Sequence, residues 1–160
     1  TILFGVDENG HLQAGSSRVP WLEALKKELP ASKLAAVAAK ETGIHERTIF
    51  DVLLERERLG STGVGKGIAI PHGKLGDIDR LYGVFARLPV AVDFEAIDEQ
   101  PVDLIFLLLA PEGAGADHLK ALARISRLLR DDDMCTRLRG SEHAEALFAL
   151  LTQTAEAPAV

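Results

Sequence analysis

At 160 residues, 47% of them apolar and 26% charged, the chain has the length and balance of one soluble domain with a real core. A formal net charge of −6 argues against a general nucleic-acid binder, which needs a basic face, and no apolar stretch approaches the roughly 20 residues that cross a bilayer, so neither nucleic acid nor membrane insertion is expected. Cys135, the only cysteine, forbids an internal disulfide and a cysteine-rich zinc site, and it fits a reducing cytoplasm.

No basic segment followed by an apolar one opens the chain, so no signal peptide is expected, and Thr1 in place of methionine points to a start removed or altered. Residues 1–18 read as irregular, with Ile2-Leu3-Phe4 a candidate short strand. Trp21 to Leu29 has the pattern of a short amphipathic helix, broken by Pro30-Ala31-Ser32. Leu34 to Thr42 is alanine-rich and helical, and Gly43 is a plausible stop. His45 to Arg58 predicts a stronger helix, with Ile49, Val52, Leu53 and, a turn on, Arg56 on one face.

After Gly60 the period changes. Ile68-Ala69-Ile70 and Leu81 to Leu88 read as strands, and Val90 to Phe94 alternates at period two behind Pro89, which suggests a hairpin partner. Val102 to Leu109 is a continuous apolar run, the signature of a central strand covered on both faces. Residues 111–116 form a loop, and Asp117 then has the look of an N-cap for a helix to about Arg130, with Leu119, Leu122, Ser126 and Leu129 in a stripe and Ile125 alongside. Asp131-Asp132-Asp133 stops it. A short helix covers Met134 to Leu138, Ser141 caps a last helix to Leu151, and Thr154 to Val160 is expected to fray. Helices, then strands, then helices predict one α/β or α+β layered domain around a mixed sheet of about four to five strands.

The most informative stretch is Ile68-Ala69-Ile70-Pro71-His72-Gly73. Pro71 stiffens the backbone and donates no hydrogen bond, and Gly73 brings no side chain, so His72 is expected at a strand end with open space beside it. The run Gly60-Ser61-Thr62-Gly63-Val64-Gly65-Lys66-Gly67 precedes it and is expected to offer unpaired N–H groups. A neutral imidazole can act as a nucleophile near pH 7, and beside amide donors it suggests a site that carries a phosphoryl group. A hydrogen-bonded strand-end histidine is the commoner role for a lone histidine; the proline, the glycine and the loop shift that balance. Arg56, Arg58, Lys66 and Lys74 give the region a locally basic character.

Other chemistries fit less well. Gly60 with Gly65-Lys66 has the spacing of a nucleotide-binding P-loop, but Gly67 stands where a hydroxyl residue should hold Mg²⁺, and the loop follows a helix and opens a strand instead of the reverse. Ser61 or Thr62 with His72 lacks the elbow of a hydrolase. His11, His45 and His143 have no metal-ligand spacing, and a zinc site of His72, His118 and a carboxylate is poorly supported. His118 falls in the first turn of a helix, where an anion is favoured, and could donate to a phosphoryl oxygen or bond locally. Arg56 could hold phosphate with its fork or pair with nearby glutamates.

Residues 55–75, from Glu55-Arg56-Glu57-Arg58 through Pro71-His72-Gly73-Lys74-Leu75, resemble the signature of the fructose/mannitol-type EIIA domains of the bacterial phosphoenolpyruvate-dependent phosphotransferase system, most closely the nitrogen-related EIIA-Ntr branch. Residues 96–104 and Asp117-His118-Leu119 extend the resemblance, which covers about Leu34 to Leu151. It implies an α/β fold with a mixed sheet of about five strands sandwiched by helices. It implies that His72 is phosphorylated, that Arg56 and His118 flank the phosphoryl group, and that Ser61, Thr62 and Gly63 lie in the loop beside it, with no cofactor or metal. The donor it implies is an HPr-type carrier or its nitrogen paralogue NPr, charged by enzyme I, and the readers are regulated target proteins such as a sensor kinase or potassium transporter. A sugar-specific EIIA serving a fructose or mannitol permease, and a binding module in which His72 is only structural, are the alternatives. Val64, Ile70 and Leu75 are candidates for the apolar rim on which a carrier docks.

Overall fold

The computed structural model describes Ile2–Val6, Leu12–Arg18 and residues 30–153, with side chains from Leu34 to Thr152. The helix expected over Trp21 to Leu29 and the tail from Thr154 lie outside the described residues. In chain order the elements are β1 (Ile2–Val6), β2 (Leu12–Arg18), α1 (Pro30–Thr42), α2 (Glu46–Arg58), β3 (Gly63–Gly65), β4 (Ile68–Ala69), β5 (His72–Leu75), β6 (Leu81–Val92), β7 (Val102–Pro111), α3 (Gly115–Arg130), α4 (Asp132–Gly140) and α5 (Ala144–Gln153).

Local chemistry accounts for most boundaries. Pro30 opens α1 instead of only interrupting what precedes it, because a proline lacks just the N–H that a first helical residue has no use for. Gly43 closes α1 at φ 74°. His45 caps α2, its Nδ1 accepting from the Arg47 N–H at 3.1 Å. Asp131 caps α4 through Met134 N–H at 2.9 Å. Two expected caps fall elsewhere. Asp117 lies inside the first turn of α3, whose N-cap is Ala114, and Ser141 ends α4 instead of starting α5.

The sheet is mixed and runs β2-β1-β6-β7-β4-β3, with β5 also on β7. β4 and β5 pair with β7 in parallel, and β6 and β1 continue antiparallel. β7 is the central strand that its unbroken apolar run predicts. Two of the seven strands among the described residues come from residues 1–18, so that segment is not irregular: Ile2, Leu3 and Phe4, the candidate strand, pair with Phe85, Val84 and Gly83 of β6, which otherwise has a free edge. Residues 81–92 form one strand instead of a hairpin. Pro89 falls inside the register shift between Arg87 and Val92, where the β6–β7 ladder is interrupted and a missing N–H costs nothing. The glycine run, expected as a loop, contains β3 and turns back through Gly65, Lys66 and Gly67, all at positive φ, to pair with β4.

Alternation along β7 divides the core. Leu104, Phe106, Leu108 and Ala110 face α3, α4 and α5 through Ala121, Ile125, Leu129, Met134, Leu138 and Leu147. Ile105, Leu107 and Leu109 face α1 and α2 through Leu34, Val37, Ile49 and Leu53. The buried line on α3 is His118, Ala121, Ile125, Leu129; Leu129 and Ile125 are as expected, whereas His118 and Ala121 take the places expected of Leu119 and Leu122, and Leu119 is 67% exposed.

The packing of α2 on β5 depends on Gly73. A Cβ there would stand 2.5 Å from Cγ1 of Val52, and a β-branched side chain inside a helix has little rotamer freedom to give way. Gly73→Ala is expected to destabilise the protein by about 1–3 kcal/mol. Adding Val52→Ala should recover a large part of that loss in urea unfolding, because the two changes relieve one clash.

Candidate functional site

His72 opens β5 instead of closing the strand before it. Pro71 separates β4 from β5, and its carbonyl accepts from Leu108 N–H at 3.0 Å, which carries the parallel ladder across the break. On α2, Val52 lies against Gly73, so Arg56, one turn further on, reaches the neighbouring His72.

Two hydrogen bonds fix the His72 ring. Nδ1 lies 2.8 Å from the Ile70 carbonyl, which can only accept, so Nδ1 carries the proton. Arg56 Nε, which can only donate, lies 3.2 Å from Nε2, so Nε2 keeps its lone pair. The neutral tautomer follows from its partners. The pKa of His72 is lowered, first by burial; the Ile70 bond opposes this, Arg56 adds to it, and the Glu57 carboxylate opposes it again.

His118 faces this ring from the first turn of α3, with ring centres 5.6 Å apart and planes at 50°. It is 6% exposed, and its Nδ1 is buried without a hydrogen-bond partner. A buried N–H without an acceptor is costlier than a bare lone pair, which puts the proton on Nε2, the nitrogen not walled off in this way. Burial, His72 and Lys74, in that order, lower its pKa. The His118 backbone N–H is not free for an anion, since it donates to Ala114 O at 2.8 Å.

The glycine-rich segment differs from expectation. Thr62 N–H donates to both oxygens of Glu57, at 3.2 and 3.1 Å, and the Thr62 hydroxyl donates to the same carboxylate. Ser61 Oγ donates to Phe94 O at 3.0 Å and accepts from Gly63 N–H at 3.1 Å. Ser61, Thr62 and Gly63 lie near the site, but these donors are spent on folding the segment, not left open as a phosphate cradle. A carboxylate already occupies the place where an anion would gather N–H groups. Sequence reasoning saw Glu57 only as a neighbour of basic residues, because its contact with Thr62 spans a helix end and a turn and has no periodicity. Gly63 also packs tightly, a Cβ there meeting Ala96 Cβ at 2.7 Å, so Ala96, with the Phe94 carbonyl, braces the segment from outside.

The basic cluster shrinks to Arg56 with Lys74 nearby. Arg56 also donates from Nη1 to Gly60 O at 3.0 Å. Lys66 is at the far turn, paired with Asp132 at 3.1 Å, and Arg58 is exposed. Of the expected apolar rim, Val64 is half exposed, whereas Ile70 and Leu75 are core. Among the described residues, no three His, Cys, Asp or Glu side chains are grouped to hold a metal ion. A cavity of about 420 Å³ lined by Asp93, Glu95, Ala96, Glu99 and Pro101 includes none of His72, Arg56 or His118.

This arrangement offers one uncharged nucleophilic nitrogen flanked by a guanidinium and a second imidazole that can donate. Both histidines have pKa values lowered from about 6.5, so each is neutral at pH 7. The unfolded chain therefore binds more protons below that value, and stability should be fully present above about pH 6.5 and decline as the pH falls towards the folded pKa values. Urea unfolding as a function of pH would show this. Long-range ¹⁵N correlation spectra should show opposite tautomers, Nδ1–H on His72 and Nε2–H on His118.

Three comparisons place the chain among known proteins. Residues 25–154 match the family model described as phosphoenolpyruvate-dependent sugar phosphotransferase system, EIIA 2. The chain is 56% identical over 140 residues to a nitrogen regulatory protein of Bradyrhizobium diazoefficiens, covering 88% of this chain and 92% of that one. It is 36% identical over 137 residues to a PTS system fructose-specific EIIA component of Haloferax volcanii, covering 81% and 89%. Its fold matches the crystal structure of the nitrogen regulatory protein IIA-Ntr from Neisseria meningitidis with a TM-score of 0.73 and 35% identity, covering 76% of this chain and 84% of that one. The chain belongs to the type 2 EIIA family of the phosphoenolpyruvate-dependent sugar phosphotransferase system.

Proposed function

We propose that this protein is a histidine phosphocarrier that accepts a phosphoryl group on Nε2 of His72 from a histidine-phosphorylated HPr- or NPr-type carrier. The observation that carries the reading is the enforced tautomer: Nδ1–H held by Ile70 O, and the lone pair of Nε2 facing Arg56.

The step needs no base. The Nε2 lone pair forms the new N–P bond while the N–P bond on the donor breaks and the donor imidazole takes back its electron pair. The His72 ring becomes a phosphoimidazolium whose remaining proton stays on Nδ1, against Ile70 O. The transition state is loose, so catalysis consists of positioning and of charge-stabilising donors around the three phosphoryl oxygens. The Arg56 guanidinium swings from the ring nitrogen to those oxygens, and His118 donates from Nε2.

The phosphorylation state of His72 is then the signal. The relative at 56% identity bears the name nitrogen regulatory protein, which supports a regulatory role read by target proteins such as a sensor kinase or potassium transporter in the cytoplasm, over supply of a permease. Among the described residues no helix is long and apolar enough to cross a membrane.

The test is intact-mass spectrometry after incubation with phosphoenolpyruvate, enzyme I and either carrier type. Wild type should gain one acid-labile phosphoryl group, and His72→Ala none. Arg56→Ala should slow acceptance by about 10²-fold, with Arg56→Lys recovering little because the fork is lost. His118→Ala should still accept but pass the group on about 10²-fold more slowly. No gain with either carrier would overturn the phosphocarrier reading and leave a binding module. Transfer onward to a fructose or mannitol EIIB at rates typical of transport would favour the sugar-specific role.

A further inference from the structure

We propose that Glu57 is a positioning residue for His72: its carboxylate anchors a relay of hydrogen bonds that runs through Thr62 and Ile70 to Nδ1 of His72, fixing which ring nitrogen attacks. The relay has three links. Thr62 N–H donates to Glu57 at 3.1–3.2 Å, Ile70 N–H donates to Thr62 O at 3.0 Å, and His72 Nδ1–H donates to Ile70 O at 2.8 Å. Thr62 is 3% exposed and Ile70 is 4% exposed, so the middle of the relay is shielded from water that could replace its bonds.

Each middle residue donates through its N–H and accepts through its own C=O, which belong to different peptide planes. What the links transmit is therefore position, not polarisation through one amide. If the Glu57 anchor is lost, Thr62 is free to shift, Ile70 O moves off the line of the ring, and Nδ1 no longer has a reason to hold the proton. The charge of Glu57 acts separately, through space, favouring the cationic ring that forms when Nε2 takes up phosphorus. The groups that face the ring with charge or a titrating proton are Arg56 and Glu57 from α2, His118 from α3, and Lys74 further along β5, so Glu57 supplies the one negative charge in this set.

The role in phosphoryl transfer rests on the phosphocarrier reading; the tautomer lock does not. The experiment uses the full chain as wild type, Glu57→Gln, Glu57→Ala and Thr62→Val, and combines ¹⁵N spectra of His72 across pH with the rate of phosphoryl acceptance from the carrier. Glu57→Gln keeps an acceptor for Thr62 N–H but not the charge. It should retain the Nδ1–H tautomer, titrate at lower pH than wild type, and accept about tenfold more slowly. Glu57→Ala loses both; His72 should show mixed tautomers, and acceptance should fall about 10²-fold with the dependence on carrier concentration unchanged. Thr62→Val perturbs the same buried spot but leaves the N–H link, and it should keep the wild-type tautomer. A single Nδ1–H tautomer with wild-type titration in Glu57→Ala would overturn the proposal, as would equal tautomer mixing in Thr62→Val. If the spectra change as expected while wild type accepts no phosphoryl group, the relay stands and the phosphocarrier reading falls.

Discussion

An imidazole attacks through a lone pair, and which nitrogen keeps it is decided by the bond from His72 Nδ1–H to the Ile70 carbonyl. Much of the architecture serves that contact. Pro71 ends β4 so that Ile70 O is not taken by the sheet, and β7 receives both β4 and β5 on one edge, so the break between them is held on either side. Gly73 lets α2 approach until Arg56 touches the other nitrogen. Burial of the ring, with Arg56 beside it, keeps it uncharged, and this is a requirement for an acceptor of phosphorus, since a protonated imidazole has no pair to give.

His72 and Arg56 are partly exposed, and the site is built on β5, the end of α2 and the start of α3. That suits transfer between two proteins, in which the donor brings its own histidine and the acceptor need only present a fixed nitrogen and well-aimed donors.

Much of this was legible in the sequence. The layered class, the central strand and both long helices follow from apolar period and length, and the histidine between proline and glycine points to the candidate site. What the sequence hid has physical causes. Ile2-Leu3-Phe4 showed as a candidate strand, but β2 and the pairing of β1 with β6 did not, because a free edge far along the chain leaves no local trace. Pro89 looked like a strand break because proline cannot donate, yet in a ladder already interrupted there is no bond for it to lose. The start of the burial line on α3 was displaced by one residue because His118, a polar residue, is buried and Leu119 is not. The glycine-rich segment looked like a phosphate loop because its donors could be counted, whereas their acceptors (Glu57, Phe94 O, Asp98) could not. Composition reveals the supply of N–H groups and not where they are spent.

That segment is also tied at its far turn. Arg139 donates to Lys66 O at 2.7 Å while paired with Asp103 at 2.9 Å, and Lys66 N–H donates to Asp98 at 2.8 Å. A run so rich in glycine loses more chain entropy on ordering than a run of ordinary residues of the same length. Because both ends are already fastened, that loss falls within folding and not within association. In the proposed transfer, a carrier arriving at His72 would meet this segment already ordered, so the encounter could be brief and weak in affinity and still be productive, as a relay between two exchanging partners requires.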